Sequence, residues 1–165
     1  MIYDASAGIL IHFLKALDAV IRKAEAHIEA KKLDPEAFLK ARLFPDMATF
    51  TRQIQFASDS AKGAGARLAG VPVPSFPDEE KTFDDLHARI GKTVDFLSAL
   101  KKEQFEGAAE RPVTLKIGQQ EMTFTGAQYL ATFALPNFYF HVTTAYDILR
   151  HNGVELGKRD YLGRT

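Results

Sequence analysis

The chain has 165 residues, of which 46% are hydrophobic and 25% charged, and its 21 basic and 21 acidic side chains leave a formal net charge of zero. Those values suit one globular domain, residues 1–165, large enough to bury a core. They deny it the basic surface that nucleic acid or anionic lipid would need, and the absence of cysteine excludes disulfides, thiolate metal sites and a cysteine nucleophile.

The opening MIYDASAGILIHFLKALDAV lacks a basic leader region, and Asp4, His12, Lys15 and Asp18 interrupt it too early for a spanning segment. This predicts a chain with no membrane span and a cytoplasmic address. Helical spacing then runs from about Ser6 to Ala30. Leu10, Phe13, Leu14, Leu17, Val20, Ile21, Ala24 and Ile28 recur at three- and four-residue steps and form one apolar face. His12 flanks that face. Asp34-Pro35-Glu36 is a helix start, with a capping aspartate, a proline at the first helical position and an acid near the positive end. It predicts a short connector helix over Pro35–Arg42.

A second long helix is expected from Pro45 or Asp46 to Ala69, with Met47, Phe50, Ile54, Ala57, Ala61, Ala64 and Leu68 as its stripe. Alternating steps of three and four mark a left-handed bundle seam. Gly63 and Gly65 lie beside the alanines, and the close approach of a neighbouring helix would offset the cost of glycine in a helix interior. Gln53 borders the seam. Asp59 and Lys62, three apart, read as an ordinary surface pair. GVPVPSFPDEE is a loop long enough to cross the end of a bundle. Thr82 or Asp84 starts a third helix that buries Phe83, Leu86, Ile90, Val94, Leu97 and Leu100, and KEQFEGAAE predicts a short turn after it.

VTLKIGQQEMTFT then alternates apolar and polar residues around Gly118-Gln119, the signature of a β-hairpin. A lone hairpin is only marginally stable, so it must pack on the helices. The fourth long helix covers Gln128–Gly153, with Thr125 as its cap. Its expected inward stripe is Leu130, Phe133, Asn137, Phe140, His141, Thr144 and Ile148. Pro136 removes a backbone donor and predicts a kink near Thr132–Phe133. The tail VELGKRDYLGRT is expected to lie over the bundle or a partner subunit. The elements together predict an all-α fold, an up-down four-helix bundle with a connector helix and a hairpin before the last long helix.

Asn137 and His141, four apart, stack on one helix face, and a bundle builds its sites from inward side chains of facing helices. Gln53 is placed to hydrogen-bond His141 across the bundle and fix its tautomer. Tyr146, five residues beyond His141, is a marginal neighbour. The competing reading is a core histidine satisfied by Asn137, a tyrosine or water. His27 and His87 sit among charges and read as solvated, and His151 suits a helix end. A lone histidine cannot make a zinc site. Neither an H-E-x-x-H nor a G-x-S-x-G motif occurs, and the glycines match no phosphate loop.

ARLFPDMATFTRQIQFASDSAKGAGARLAG and NFYFHVTTAYDILRHNGVELGKRDYLG resemble an uncharacterised bacterial family of unknown function (DUF1993-type) within the DinB/YfiT-like superfamily. The resemblance covers essentially the whole chain and implies a four-helix bundle that forms a homodimer. It also implies what to look for: many superfamily members hold a divalent metal with three histidines, one on the second helix and two at H-x-x-x-H on the last. Some are thiol-dependent transferases or isomerases. The last-helix pair falls here on Asn137 and His141, and Gln53 stands at the second-helix position. Amide oxygens are weak ligands for nickel or zinc beside imidazole. The expectation is therefore a degenerate metal site, without a resident cofactor, that has become a polar small-ligand pocket of Gln53, Asn137, His141, His12 and Tyr146. The alternative is a transferase or isomerase with a weakly bound divalent metal such as Ni or Zn, of which His141 is the surviving ligand and His12 a further imidazole.

Overall fold

The structure, a computed structural model, describes residues 2–164. A wide π turn over Asp4–Gly8 leads into α1, Ile9–Lys31. Leu10, Leu14, Leu17, Ile21, Ala24 and Ile28 of α1 are buried, the face that the spacing predicts. The helix stops at Lys32, whose left-handed backbone (φ 53°) lets the Leu33 N–H reach the Ile28 carbonyl at 2.9 Å. Asp34 caps the connector α2, Pro35–Leu39, by accepting from the Glu36 N–H at 2.9 Å. This connector ends three residues before the expected Arg42.

The second long helix, α3, is Phe50–Ala69 and starts later than expected. Thr49 caps it by accepting from the Arg52 N–H at 3.4 Å, and the Arg42 guanidinium holds the Met47 carbonyl outside the helix. Met47 therefore leaves the stripe, while Phe50, Ile54, Ala57, Ala61, Ala64 and Leu68 are buried. The third, α4, is Phe83–Ala99, opened by a reciprocal capping box of Thr82 and Asp85. A 3₁₀ turn follows over Lys102–Phe105.

Strands β1, Pro112–Ile117, and β2, Gln120–Thr125, form the expected antiparallel hairpin, with Val113 opposite Phe124 and Leu115 opposite Met122. Gly118 takes φ 62° at the first turn position, the geometry that a hairpin turn with leading glycine demands. Val113 and Leu115 are buried, which is how the hairpin gains the support it needs. Arg111 ties its base down by donating to the carbonyls of Leu68 and Gln104.

Thr125 and Gln128 cap the short α5, Gly126–Gln128. A second π turn follows over Tyr129–Ala134, and then α6, Leu135–His151. The π turn covers Thr132–Phe133, the expected site of the proline's disturbance of the helix. Pro136 sits in the first turn of α6, where a missing N–H is harmless, and the wide turn before it absorbs the break in the hydrogen-bond ladder. That extra residue also shifts the helix phase. The inward face is Leu130, Ala134, Phe138, Val142, Thr144, Ala145, Ile148 and Leu149. Leu130, Thr144 and Ile148 are buried as expected, whereas Ala134, Phe138 and Val142 take the places expected for Phe133, Asn137 and His141, and Phe140 is 54% exposed.

The last helix, α7, Lys158–Tyr161, lies against α1. Asp160 pairs with Lys23 at 2.5 Å, and Tyr161 packs between Phe13 and Tyr146. Helix α3 packs on α4 and α6, and α1 packs on the same two. The chain is mostly helical with one two-stranded sheet. No helix among the described residues is long and apolar enough to cross a membrane.

Candidate functional site

Where α3 meets α6, the Gln53 amide and the His141 imidazole form one hydrogen-bonded unit. Gln53 is 2% exposed. Its Nε2 donates to the Ala48 carbonyl at 3.2 Å, which turns Oε1 toward His141 Nδ1 at 2.8 Å. An amide oxygen only accepts, so Nδ1 carries the proton and Nε2 keeps a lone pair. Burial pushes the His141 pKa below the usual histidine value, which holds the ring neutral. Nε2 has no partner among the described residues and is not sealed from solvent. The rings of Phe56 and Phe140 flank the imidazole at 5.0 and 5.3 Å between centroids. Arg52 lies over the far ring, 4.5 Å from the Phe56 centroid. The unit offers one hydrogen-bond acceptor between two aromatic surfaces.

The sequence profile of a domain of unknown function, DUF1993, matches residues 2–162. The chain belongs to the DUF1993 family. The crystal structure of a DinB family member from Shewanella denitrificans is similar to it along the whole chain, with 40% identity and a TM-score of 0.93, and the match covers 100% of this chain and 93% of that one. No curated protein matches.

The other expected pocket residues of this DUF1993 chain do not gather around His141. The phase shift of the π turn leaves Asn137 exposed, where it lines a separate cavity between α3, β1 and the π turn. His12 is also exposed. Its Nε2 donates to the Leu162 carbonyl at 2.9 Å, so it anchors the tail and does not turn inward. Tyr146 packs edge-on to Tyr161 at 6.1 Å, on the α7 side of α6. The donor set does not fit the divalent metal that the DinB-like resemblance implies. Among the described residues no three His, Cys, Asp or Glu side chains are grouped to hold an ion. The Gln53 oxygen is already spent on His141, and Asn137 points into another space.

Two charged clusters, around Arg89 and His87, escaped sequence reading. Arg89 of α4 is 3% exposed. Its Nη1 contacts Glu80 at 2.9 Å and Asp78 at 3.0 Å, and its Nη2 reaches Asp59 at 2.8 Å. Gln55 and Arg52 complete the cluster by donating to Glu80 and Asp78 at 2.7 and 2.6 Å. The loop between α3 and α4 is thereby clamped to both helices. Burial pulls the Arg89 pKa down, but the hydrogen bond it donates to Glu80 and the three carboxylate charges outweigh it and the net shift is upward. Asp59 still meets Lys62 at 2.9 Å, yet Lys62 is buried, so this is no surface pair. The missed signal was the position of Arg89, three residues after Leu86 and beside Ile90 on the apolar stripe. His87, expected to be solvated, is instead held between two acids of α1, with Nδ1 on Asp18 and Nε2 on Glu25. Burial lowers its pKa, but those hydrogen bonds and charges raise it further, and the net shift is upward.

Proposed function

We propose that the chain is a DinB-like up-down four-helix-bundle domain that binds a small ligand and holds no resident metal. Its setting in this reading is the cytoplasm, as a homodimer, the assembly that the family resemblance implies. The observation that carries the reading is the Gln53–His141 hydrogen bond. It replaces metal ligation by a neutral imidazole with a fixed tautomer and one free acceptor, Nε2, between Phe56 and Phe140. Such a group suits a ligand with an N–H or O–H donor on a planar body, which the rings would face. The earlier thiol-transferase alternative needs a Lewis acid that one imidazole and two amides hold poorly.

Metal analysis of protein purified without an affinity tag tests the metal-free half. Substoichiometric nickel, zinc and iron are expected, whereas one equivalent that disappears on His141→Ala would overturn it. The ligand half is tested by nitrogen NMR of the His141 ring during a fragment screen. Donor-bearing aromatic fragments should move the Nε2 resonance and leave Nδ1 protonated. A screen that never moves it sinks the ligand half.

A further inference from the structure

We propose that the cavity between α3, β1 and the π turn is a binding site for a small organic carboxylate with a planar apolar body. Its volume is about 240 Å³, and Arg67, Lys116, Asn137, Tyr129 and Phe133 line it. Gln53 and His141 do not, so the site stands apart from the reading above.

Arg67 is the central group. Among the described residues it has no ion-pair partner, and its side chain makes one hydrogen bond, from Nη1 to the Tyr129 hydroxyl at 3.2 Å. A half-buried guanidinium with most of its five donors unspent is suited to a carboxylate that can take two at once. Its position is also built in. A Cβ at Gly63 would stand 2.4 Å from Arg67 Nη1, and the nearest atoms to that point all belong to Arg67. Gly63 therefore makes room for the helix's own arginine and for no neighbouring helix. Glycine is a poor helix former, so its use here has this placement as its evident compensation.

The charge of the cavity is positive. Asp59 also borders it, but its carboxylate is already shared by Lys62 and Arg89 at 2.9 and 2.8 Å. Lys116 stands opposite Glu121 in the hairpin ladder without closing an ion pair. The apolar wall comes from Tyr129 and Phe133, stacked at 6.0 Å with 22° between planes. Both belong to the π turn, a local geometry often found at functional sites. Asn137 adds an exposed amide at the rim.

The test is titration of the full chain with benzoate and, separately, inorganic phosphate, followed by calorimetry and NMR. Benzoate should bind and shift the signals of Tyr129, Phe133 and Asn137. Arg67→Gln should weaken it roughly tenfold or more. Gly63→Ala keeps every charge, displaces only the tip of Arg67, and should weaken benzoate similarly while melting no lower than wild type. His141→Phe should leave the affinity unchanged, which separates this site from the His141 reading. Absent benzoate binding, or affinity that survives both the Arg67 and Gly63 variants, would overturn the proposal. Phosphate binding as tightly as benzoate would overturn the planar-carboxylate class.

Discussion

Gln53→Leu, His141→Phe and the double variant form a cycle that tests the central hydrogen bond. Gln53→Leu strands a half-buried Nδ1–H, and His141→Phe strands a Gln53 oxygen on a side chain that is 2% exposed. Each unsatisfied group costs about 1–3 kcal/mol, offset in part by the added apolar surface. Each single variant should therefore lose about 1–2 kcal/mol. Replacing both partners by apolar groups is nearly neutral, so the double variant should lose less than the sum by about 1–2 kcal/mol. Urea unfolding at mildly alkaline pH reads the midpoints while the ring is neutral, with unchanged slopes as the check on two-state behaviour. Single effects that add to within about 0.5 kcal/mol would mean that the two side chains are not coupled and would refute the tautomer argument.

The two half-buried histidines, His87 and His141, should titrate with opposite signs. His141 has a lowered folded pKa, so stability is lost as pH falls through the unfolded value near 6.5 toward the folded one. His87 has a raised one, so its contribution is complete below 6.5 and is lost as pH rises through the folded value. Urea midpoints of wild type minus His141→Phe and of wild type minus His87→Leu should slope oppositely with pH; equal slopes would contradict the assignment. Arg89→Met should cost about 1–3 kcal/mol, because Asp59 and Asp78 keep Lys62 and Arg52 while Glu80 keeps only Gln55, and expose the α3–α4 loop to proteolysis. Burial raises the Asp78 pKa, but Arg52 and Arg89 lower it further, so its stabilisation holds above about 3.8 and is lost in acid. Gly126→Ala should unfold the chain or cost several kcal/mol, because its Cβ would lie 1.8 Å from the Ala108 carbonyl oxygen in a rigid backbone; a melting temperature near wild type would refute that contact.

Local rules carried much of the fold. Apolar spacing marked α1, α3 and α4, Asp34-Pro35-Glu36 marked α2, and Gly118 between alternating residues marked the hairpin. These are properties of a few neighbouring residues, and the tertiary structure leaves them intact. Gln53 bordering the α3 seam was also enough to pair it with His141. Thr144 and Ile148 are buried as the spacing predicts, but the phase around Asn137 and His141 was not readable, because a helical stripe assumes a constant 3.6 residues per turn and the π turn over Tyr129–Ala134 breaks that period. One extra residue moved Asn137 out of the expected triad and into the Arg67 cavity. Arg89 drew no notice in the sequence and His87 looked solvated because their partners lie on other elements, Asp59, Asp78 and Glu80 for one and Asp18 and Glu25 for the other. Gly63 and Gly65 read alike in the chain, yet Gly65 receives Leu97 of α4 while Gly63 makes room for Arg67. The sequence by itself determined which long segments are helices, since caps and periodicity act within a turn or two. Only the tertiary structure decided which polar groups share a site, since a fraction of a turn in one helix decides which side chains face each other.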